Sequence, residues 1–100
     1  MIAVFVTFAF DTLDEERVRK VAAEARGMFE GMASLRNKFF TLDEKKNRAT
    51  NVYVWESEAA ANAFFTDELT ERVTGLYGVR PRIEFVEIAA IVDNAAAPVV

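Results

Sequence analysis

The chain of 100 residues contains no cysteine and no histidine. Without cysteine there is no disulfide framework, no thiolate nucleophile and no sulfur ligand for zinc. Without histidine the commonest general base and metal ligand is missing too. Positive charge is in short supply: 12 Lys and Arg stand against 16 Asp and Glu, a net charge of -4. Such a balance argues against a surface that neutralises phosphates or lies on an anionic membrane. The sequence also lacks a glycine-rich phosphate loop, a Ser-His-Asp arrangement and any metal-ligand spacing. No stretch approaches the roughly 18 to 20 apolar residues that a spanning helix needs. The apolar opening from Met1 to Phe10 has no basic residue before it and runs into Asp11-Thr12-Leu13-Asp14-Glu15-Glu16, which is not the layout of a signal peptide. The expectation is a cytoplasmic protein that binds no metal, haem or flavin, no nucleic acid and no membrane.

What is present is a pattern of short apolar runs in a length that suits one domain with one core. Residues 2 to 10, rich in Val, Phe and Ile, read as a strand buried on both faces. Thr12 with Glu15 makes a capping box, and Leu13, Val18, Val21, Ala22, Ala25, Met28 and Phe29 recur at helical spacing, so a first helix is expected from about 13 to 30, stopped by Gly31. Residues 35 to 42 form a second strand, Asp43 to Asn47 a turn and Arg48 to Trp55 a third strand. Ser57 caps a second helix that presents Ala60, Ala63, Phe64 and Phe65 and continues, with a bend, through Leu69 and Val73. Gly75 and Gly78 punctuate a loop, Pro81 marks a strand edge, and Arg82 to Val92 is the fourth strand. Residues 1 to 92 are then a single domain, and 93 to 100 a tail without a pattern of its own.

The order β-α-β-β-α-β is the ferredoxin-like split βαβ arrangement, an α+β fold with a four-stranded antiparallel sheet and both helices on one face. Strands apolar on both faces would leave a patch of several hundred Å² open to water. A second copy of the sheet, related by a two-fold axis, is the simplest cover, so a homodimer through the sheet face is expected.

Three residues of strand 3, Asn51, Tyr53 and Trp55, share a face at a period of two. None is a default core residue, because each carries a polar group that needs a partner when buried. Two readings stay open: a sheet surface covered by aromatic rings, or the wall of a pocket where a flat aromatic ligand stacks on Trp55 and hydrogen-bonds to Asn51 and Tyr53. An even-numbered turn puts Arg36, Lys38 and Phe40 on that same face, grouping polar with polar and leaving Leu35, Phe39, Val52 and Val54 to pack together. Arg36 and Lys38 would then be cations suited to a phenolate or carboxylate; the alternative is a pair of solvated strand charges. Glu84 and Glu87 fall on opposite faces and do not form a paired-carboxylate site.

The opening Phe8-Ala9-Phe10-Asp11, the stretch Leu35-Arg36-Asn37-Lys38-Phe39-Phe40 and above all Tyr53-Val54-Trp55-Glu56-Ser57-Glu58-Ala59-Ala60 resemble the YdhR-type mono-oxygenases of the dimeric α+β barrel superfamily, relatives of the antibiotic-biosynthesis monooxygenases. The resemblance spans about residues 3 to 92. It implies a pocket lined by an Asn and a Trp four residues apart, which Asn51 and Trp55 match, where molecular oxygen is added to a polyphenol without metal or flavin. The substrate, once a phenolate, supplies the electrons, and the protein binds, deprotonates and excludes water. Catalytic roles fall to Asn51, Tyr53 and Trp55, and substrate contacts to Arg36, Lys38 and Phe40. No residue is assigned as the base. The superfamily's haem-degrading members need a His to hold iron, which this chain lacks. Two other functions share the fold order. One is a container for a small molecule, or a stress protein, without catalysis. The other is an RNA-recognition module, whose Lys/Arg-Gly-aromatic signature is missing here.

Overall fold

The computed structural model describes residues 1–95. Its elements run β1 (Ile2–Ala9), α1 (Glu15–Phe29), β2 (Leu35–Asp43), β3 (Arg48–Trp55), α2 (Glu58–Phe64), α3 (Asp67–Tyr77) and β4 (Arg82–Glu87). The four strands form one antiparallel sheet in the order β2-β3-β1-β4, the ferredoxin-like α+β arrangement expected from the sequence.

β1 and β3, the two interior strands, carry the most apolar sequence because both their edges are paired. Val4 and Phe8 are fully buried, with Ile2 and Val6 nearly so. These alternate residues of β1 project to the face that the helices cover. There they meet Tyr53 and Trp55 of β3, Val21 and Phe29 of α1, Ala61 and Phe64 of α2, and Val73 and Tyr77 of α3. The Phe8 and Tyr77 rings stack at 3.9 Å between centroids. Arg17 of α1 donates from Nη2 to the Leu76 carbonyl at 2.8 Å, fastening the first helix to the third.

Helix boundaries follow the side chains able to satisfy free backbone amides. Asp14, not Thr12, caps α1 by accepting from the Arg17 amide, so the expected capping box does not form and the helix begins two residues late. Met28 also departs from expectation. It is 69% exposed. The bend expected in the second helix is a complete break: α2 ends at Phe64, and Thr66 starts α3 by accepting from the Leu69 amide. Gly75 lies inside α3 rather than in a loop, while Gly78 ends it in the left-handed conformation (φ 82°), donating to the Thr74 carbonyl at 2.8 Å.

The fourth strand is shorter than the 82 to 92 expected. β4 ends at Glu87, and one further backbone bond, Ile88 N–H to the Met1 carbonyl, closes its pairing with β1. Ile91 and Val92 are exposed. Of the tail expected over 93 to 100, residues 96 to 100 lie outside the described residues.

The open face of the sheet is only partly apolar. Ala3, Phe5, Val52, Val54, Phe39 and Val86 occupy one end, with Phe39 and Val86 about half exposed. At the other end Thr7, Thr41 and Thr50 are joined by hydroxyl hydrogen bonds, and Arg82 pairs with Glu84. Two-faced apolarity therefore belongs to β1 and β3 and fades on the edge strands β2 and β4, where water can solvate polar side chains.

Candidate functional site

The turn between β2 and β3 spans four residues, 44 to 47, and pairs Asp43 with Arg48. Asn47 adopts φ 53° there, a conformation Asn tolerates better than most residues. Its side-chain oxygen accepts from the Leu13 amide at 3.0 Å and its carbonyl from the Phe10 amide at 2.9 Å, so the hairpin tip is pinned to the loop before α1. An even turn sets the register anticipated from the sequence: Lys38 faces Tyr53 and Phe40 faces Asn51.

Arg36 does not follow. A bulge between Leu35 and Asn37 pairs Leu35, rather than Arg36, with Trp55. Leu35 then packs against the core, and Arg36 is turned out of the ladder to the exposed surface. The exchange has a simple cause: an isobutyl group beside Trp55 gains from burial, while a guanidinium there would lose its hydration.

Asn51, Tyr53 and Trp55 lie under the helices and are between 2 and 5% exposed. The Tyr53 and Trp55 rings run nearly parallel, 6.2 Å apart at 7°. Phe64 and Phe65, from the end of α2 and the break after it, close over them with centroids 4.9 to 6.1 Å away, and Phe29 of α1 meets Tyr53 edge-on at 5.8 Å. Where the sequence reading placed an open pocket, the structure places aromatic rings. Space adjoins this cluster on two sides. A groove of about 260 Å³ runs between the end of α1 and β2, lined in part by Arg26, Phe29, Glu30, Arg36, Lys38 and Phe40. A shallower hollow of about 420 Å³ is lined by Ser34, Trp55, Ala60 and Phe64 among others.

The polar atoms of the cluster are unevenly satisfied. Asn51 donates from Nδ2 to the Tyr77 hydroxyl at 3.3 Å, which leaves its second amide hydrogen uncommitted by that bond. Lys38 donates from Nζ to the Tyr53 hydroxyl at 2.8 Å. The Trp55 indole N–H is buried and finds no acceptor among the described residues. Leaving such a donor unpaired costs about 1–3 kcal/mol, which an acceptor on a ligand would recover.

Burial also sets the titration of the site. It pulls the Lys38 ammonium down to about 7, because the half-buried amine loses water that would solvate its charge. Burial pushes the Tyr53 phenol up, and the neighbouring Tyr77 adds to the effect. Tyr77 is also raised by burial, with the Asn51 hydrogen bond pulling the other way. Both phenols therefore stay protonated at neutral pH, and Lys38 alone in the cluster can change charge there.

Tyr77 carries no signal in the sequence, since a lone Tyr at the end of a helix followed by Gly gives no sign of a partner 26 residues earlier in the chain. Phe29 was assigned to the packing face of α1, but its position over Lys38 depends on how that helix crosses the sheet. Among the described residues no group of three or more His, Cys, Asp or Glu is placed to hold a metal ion. No helix among them is long and apolar enough to cross a membrane.

No family model matches the chain, and no curated protein does. Solved structures do. A monooxygenase from the gene ActVA-Orf6 of Streptomyces coelicolor, in complex with nanaomycin D, superposes with a TM-score of 0.67 at 21% identity, over 93% of this chain and 92% of that one. A candidate antibiotic biosynthesis monooxygenase from Deinococcus radiodurans gives 0.67 at 11% identity, over 93% and 97%. The NE2512 protein of Nitrosomonas europaea, of unknown function, gives 0.67 at 17%, over 95% of each chain. At these identities the likeness concerns the backbone: the chain has the fold of the antibiotic biosynthesis monooxygenases.

Proposed function

We propose that the protein is a cofactor-independent monooxygenase that oxidises a small aromatic or polyphenolic substrate with molecular oxygen, acting as a homodimer. The observation that carries this reading is the unpaired indole N–H of Trp55, set among stacked aromatic rings beside Asn51 and Tyr53. A flat polyphenol offers what that arrangement lacks, an oxygen acceptor attached to a ring that can replace a phenylalanine ring. The fold supports the same reading, since the Streptomyces coelicolor enzyme of this fold was solved with nanaomycin D.

In the reaction, the substrate displaces Phe64 and Phe65 from over Tyr53 and Trp55, beside the hollow that Trp55 and Phe64 line. The two phenylalanine rings sit at the end of a seven-residue helix, which terminates at the break before α3. Stacked on Trp55 and held by Asn51 and Tyr53, the ionised substrate donates electrons to oxygen. One oxygen atom becomes a ring carbonyl or hydroxyl and the other leaves as water, with the two hydrogens lost by the substrate. All four electrons come from the substrate, so His, Cys and a redox cofactor are dispensable. The second N–H of Asn51 stabilises the oxyanion that develops, and the aromatic rings exclude water.

Oxygen uptake with a panel of hydroquinones and anthrones tests the reading. The expected result is consumption of one O2 per substrate molecule, with one of its oxygen atoms in the product (the anthraquinone from an anthrone, the hydroxyquinone from a hydroquinone) and water, not hydrogen peroxide, as the other product. Tight binding of these compounds with no oxygen consumed would mean the fold serves as a container, and neither binding nor uptake would sink the proposal entirely.

The dimer is proposed through the apolar end of the open sheet face, around Phe5, Phe39, Val52, Val54 and Val86. A second copy related by a two-fold axis brings a matching patch, and the threonine end and the Arg82–Glu84 pair form a polar rim. Sedimentation equilibrium is expected to give twice the chain mass at micromolar concentration. A stable folded monomer there would refute it.

A further inference from the structure

We infer that Lys38 is the general base of this site, the group that removes the phenolic proton from the substrate before oxygen adds; the inference rests on the monooxygenase reading and supplies the base that reading leaves unassigned.

The geometry comes first. Lys38 Nζ sits 3.3 Å from the centre of the Phe29 ring, 4.2 Å from Tyr53 and 4.3 Å from Phe40, with the Tyr53 hydroxyl at 2.8 Å. Its side chain also lines the groove between the end of α1 and β2, which opens to water. Aromatic faces attract a cation. Three of them, with a hydroxyl oxygen, are thus preorganised around the place where positive charge appears when the amine takes a proton. This is electrostatic stabilisation aimed at the product of proton transfer.

The step balances simply. The O–H bond of the substrate breaks, its proton joins the Nζ lone pair, and the electron pair stays on oxygen as the phenolate. The new ammonium is held by the ring faces and the Tyr53 oxygen, and it lies against the phenolate as counter-ion. After turnover the proton returns to water by way of the groove.

Energetics favour this use of the amine. Burial disfavours the ammonium and brings the amine down to about 7, where a base works best at physiological pH. The other titratable groups around it are Tyr53 of β3, the Arg26–Glu30 pair at the end of α1, with nitrogen and oxygen 3.3 Å apart, and Arg36 of β2. Tyr53 stays protonated, and Glu30 is engaged with Arg26. Arg36 lies exposed at the groove and carries no lone pair to accept a proton. None of these groups competes for the substrate's proton.

Two measurements on the purified protein test the assignment. Competitive acetylation across pH, read by peptide mass spectrometry, is expected to show Lys38 reacting with a midpoint near 7. A midpoint for Lys38 near 10 overturns the inference. Oxygen uptake with a hydroquinone is then followed across pH for wild type, K38M and K38R. In wild type kcat/KM is expected to rise through pH 7 to a plateau, as the amine loses its proton. Both variants are expected to lose about a hundredfold, the low end for a general base because a phenol also yields its proton to water. Their profile should shift toward the substrate's own ionisation. Substrate supplied at a pH where it is already ionised should rescue K38M. If K38M and K38R turn over with an unshifted profile, the base role fails while the monooxygenase reading stands. If wild type consumes no oxygen with any phenol, that reading falls and the base role with it, whatever the midpoint of Lys38.

Discussion

Phe8→Ala is expected to destabilise the protein by about 3–5 kcal/mol, the usual cost of deleting a large aromatic ring from a close-packed core. Phe8 is fully buried on the helix-covered face of β1, and its ring is sandwiched against Tyr77 at 3.9 Å. Truncation therefore loses the transfer free energy of the ring and opens a cavity between sheet and α3 that the paired strand cannot collapse to fill. A domain of this size has about 5–15 kcal/mol of stability in all, so the variant should sit close to unfolding at room temperature. Urea denaturation at a fixed protein concentration, followed by Trp55 fluorescence, measures the effect as a fall in midpoint with the slope unchanged. Met28→Ala, at a side chain 69% exposed, is the control and should stay within about 0.5 kcal/mol of wild type. A loss below about 1 kcal/mol for Phe8→Ala would contradict the packing described here.

Asn51→Ala is expected to lower turnover by one to three orders of magnitude, roughly what removal of one oxyanion donor costs. Asn51 is 5% exposed and gives one hydrogen to Tyr77. The remaining donor is what the proposed reaction uses as charge builds on the substrate oxygen. The loss should appear in kcat, because the interaction strengthens only as the reaction proceeds. Stability should fall by about 1 kcal/mol, as the Tyr77 hydroxyl loses its partner. Trp55→Phe offers the contrast: it keeps most of the stacking area but deletes the indole N–H, so KM should rise with kcat little changed. Steady-state oxygen uptake separates the two patterns. A kcat for Asn51→Ala within threefold of wild type would remove Asn51 from the chemistry and leave it a packing residue.

Much of this molecule is decided locally, and that part was legible. Alternation along Arg48 to Trp55 fixed a strand and a shared face for Asn51, Tyr53 and Trp55, since side chains on a strand repeat every two residues whatever surrounds them. A four-residue turn then carried Lys38 and Phe40 to that face. The order of elements and the single mid-chain hairpin were enough for the ferredoxin-like sheet. Capping was less legible: Thr12 and Asp14 are both competent caps, and the choice went to the one whose carboxylate reaches the Arg17 amide.

Tertiary packing decided the rest. Arg36 was displaced by a bulge because the place opposite Trp55 is worth more to Leu35, a preference that exists only once the helices cover that face. The second helix broke at Phe65 and Thr66 so that Phe64 and Phe65 could cover Tyr53 and Trp55, and α3 could bring Tyr77 under Asn51. Above all, the character of Lys38 is tertiary. Its sequence neighbours, Asn37 and Phe39, point to the opposite face. The rings of Phe29 and Tyr53 that desolvate its amine and aim at its charge come from 9 residues before and 15 after, through a helix crossing and a strand register. Where no bulge intervenes, sequence alone determined which side chains share a face, because strand geometry is local. Which of them lose water, and so which can change charge at neutral pH, was settled only by what the fold laid on top of them.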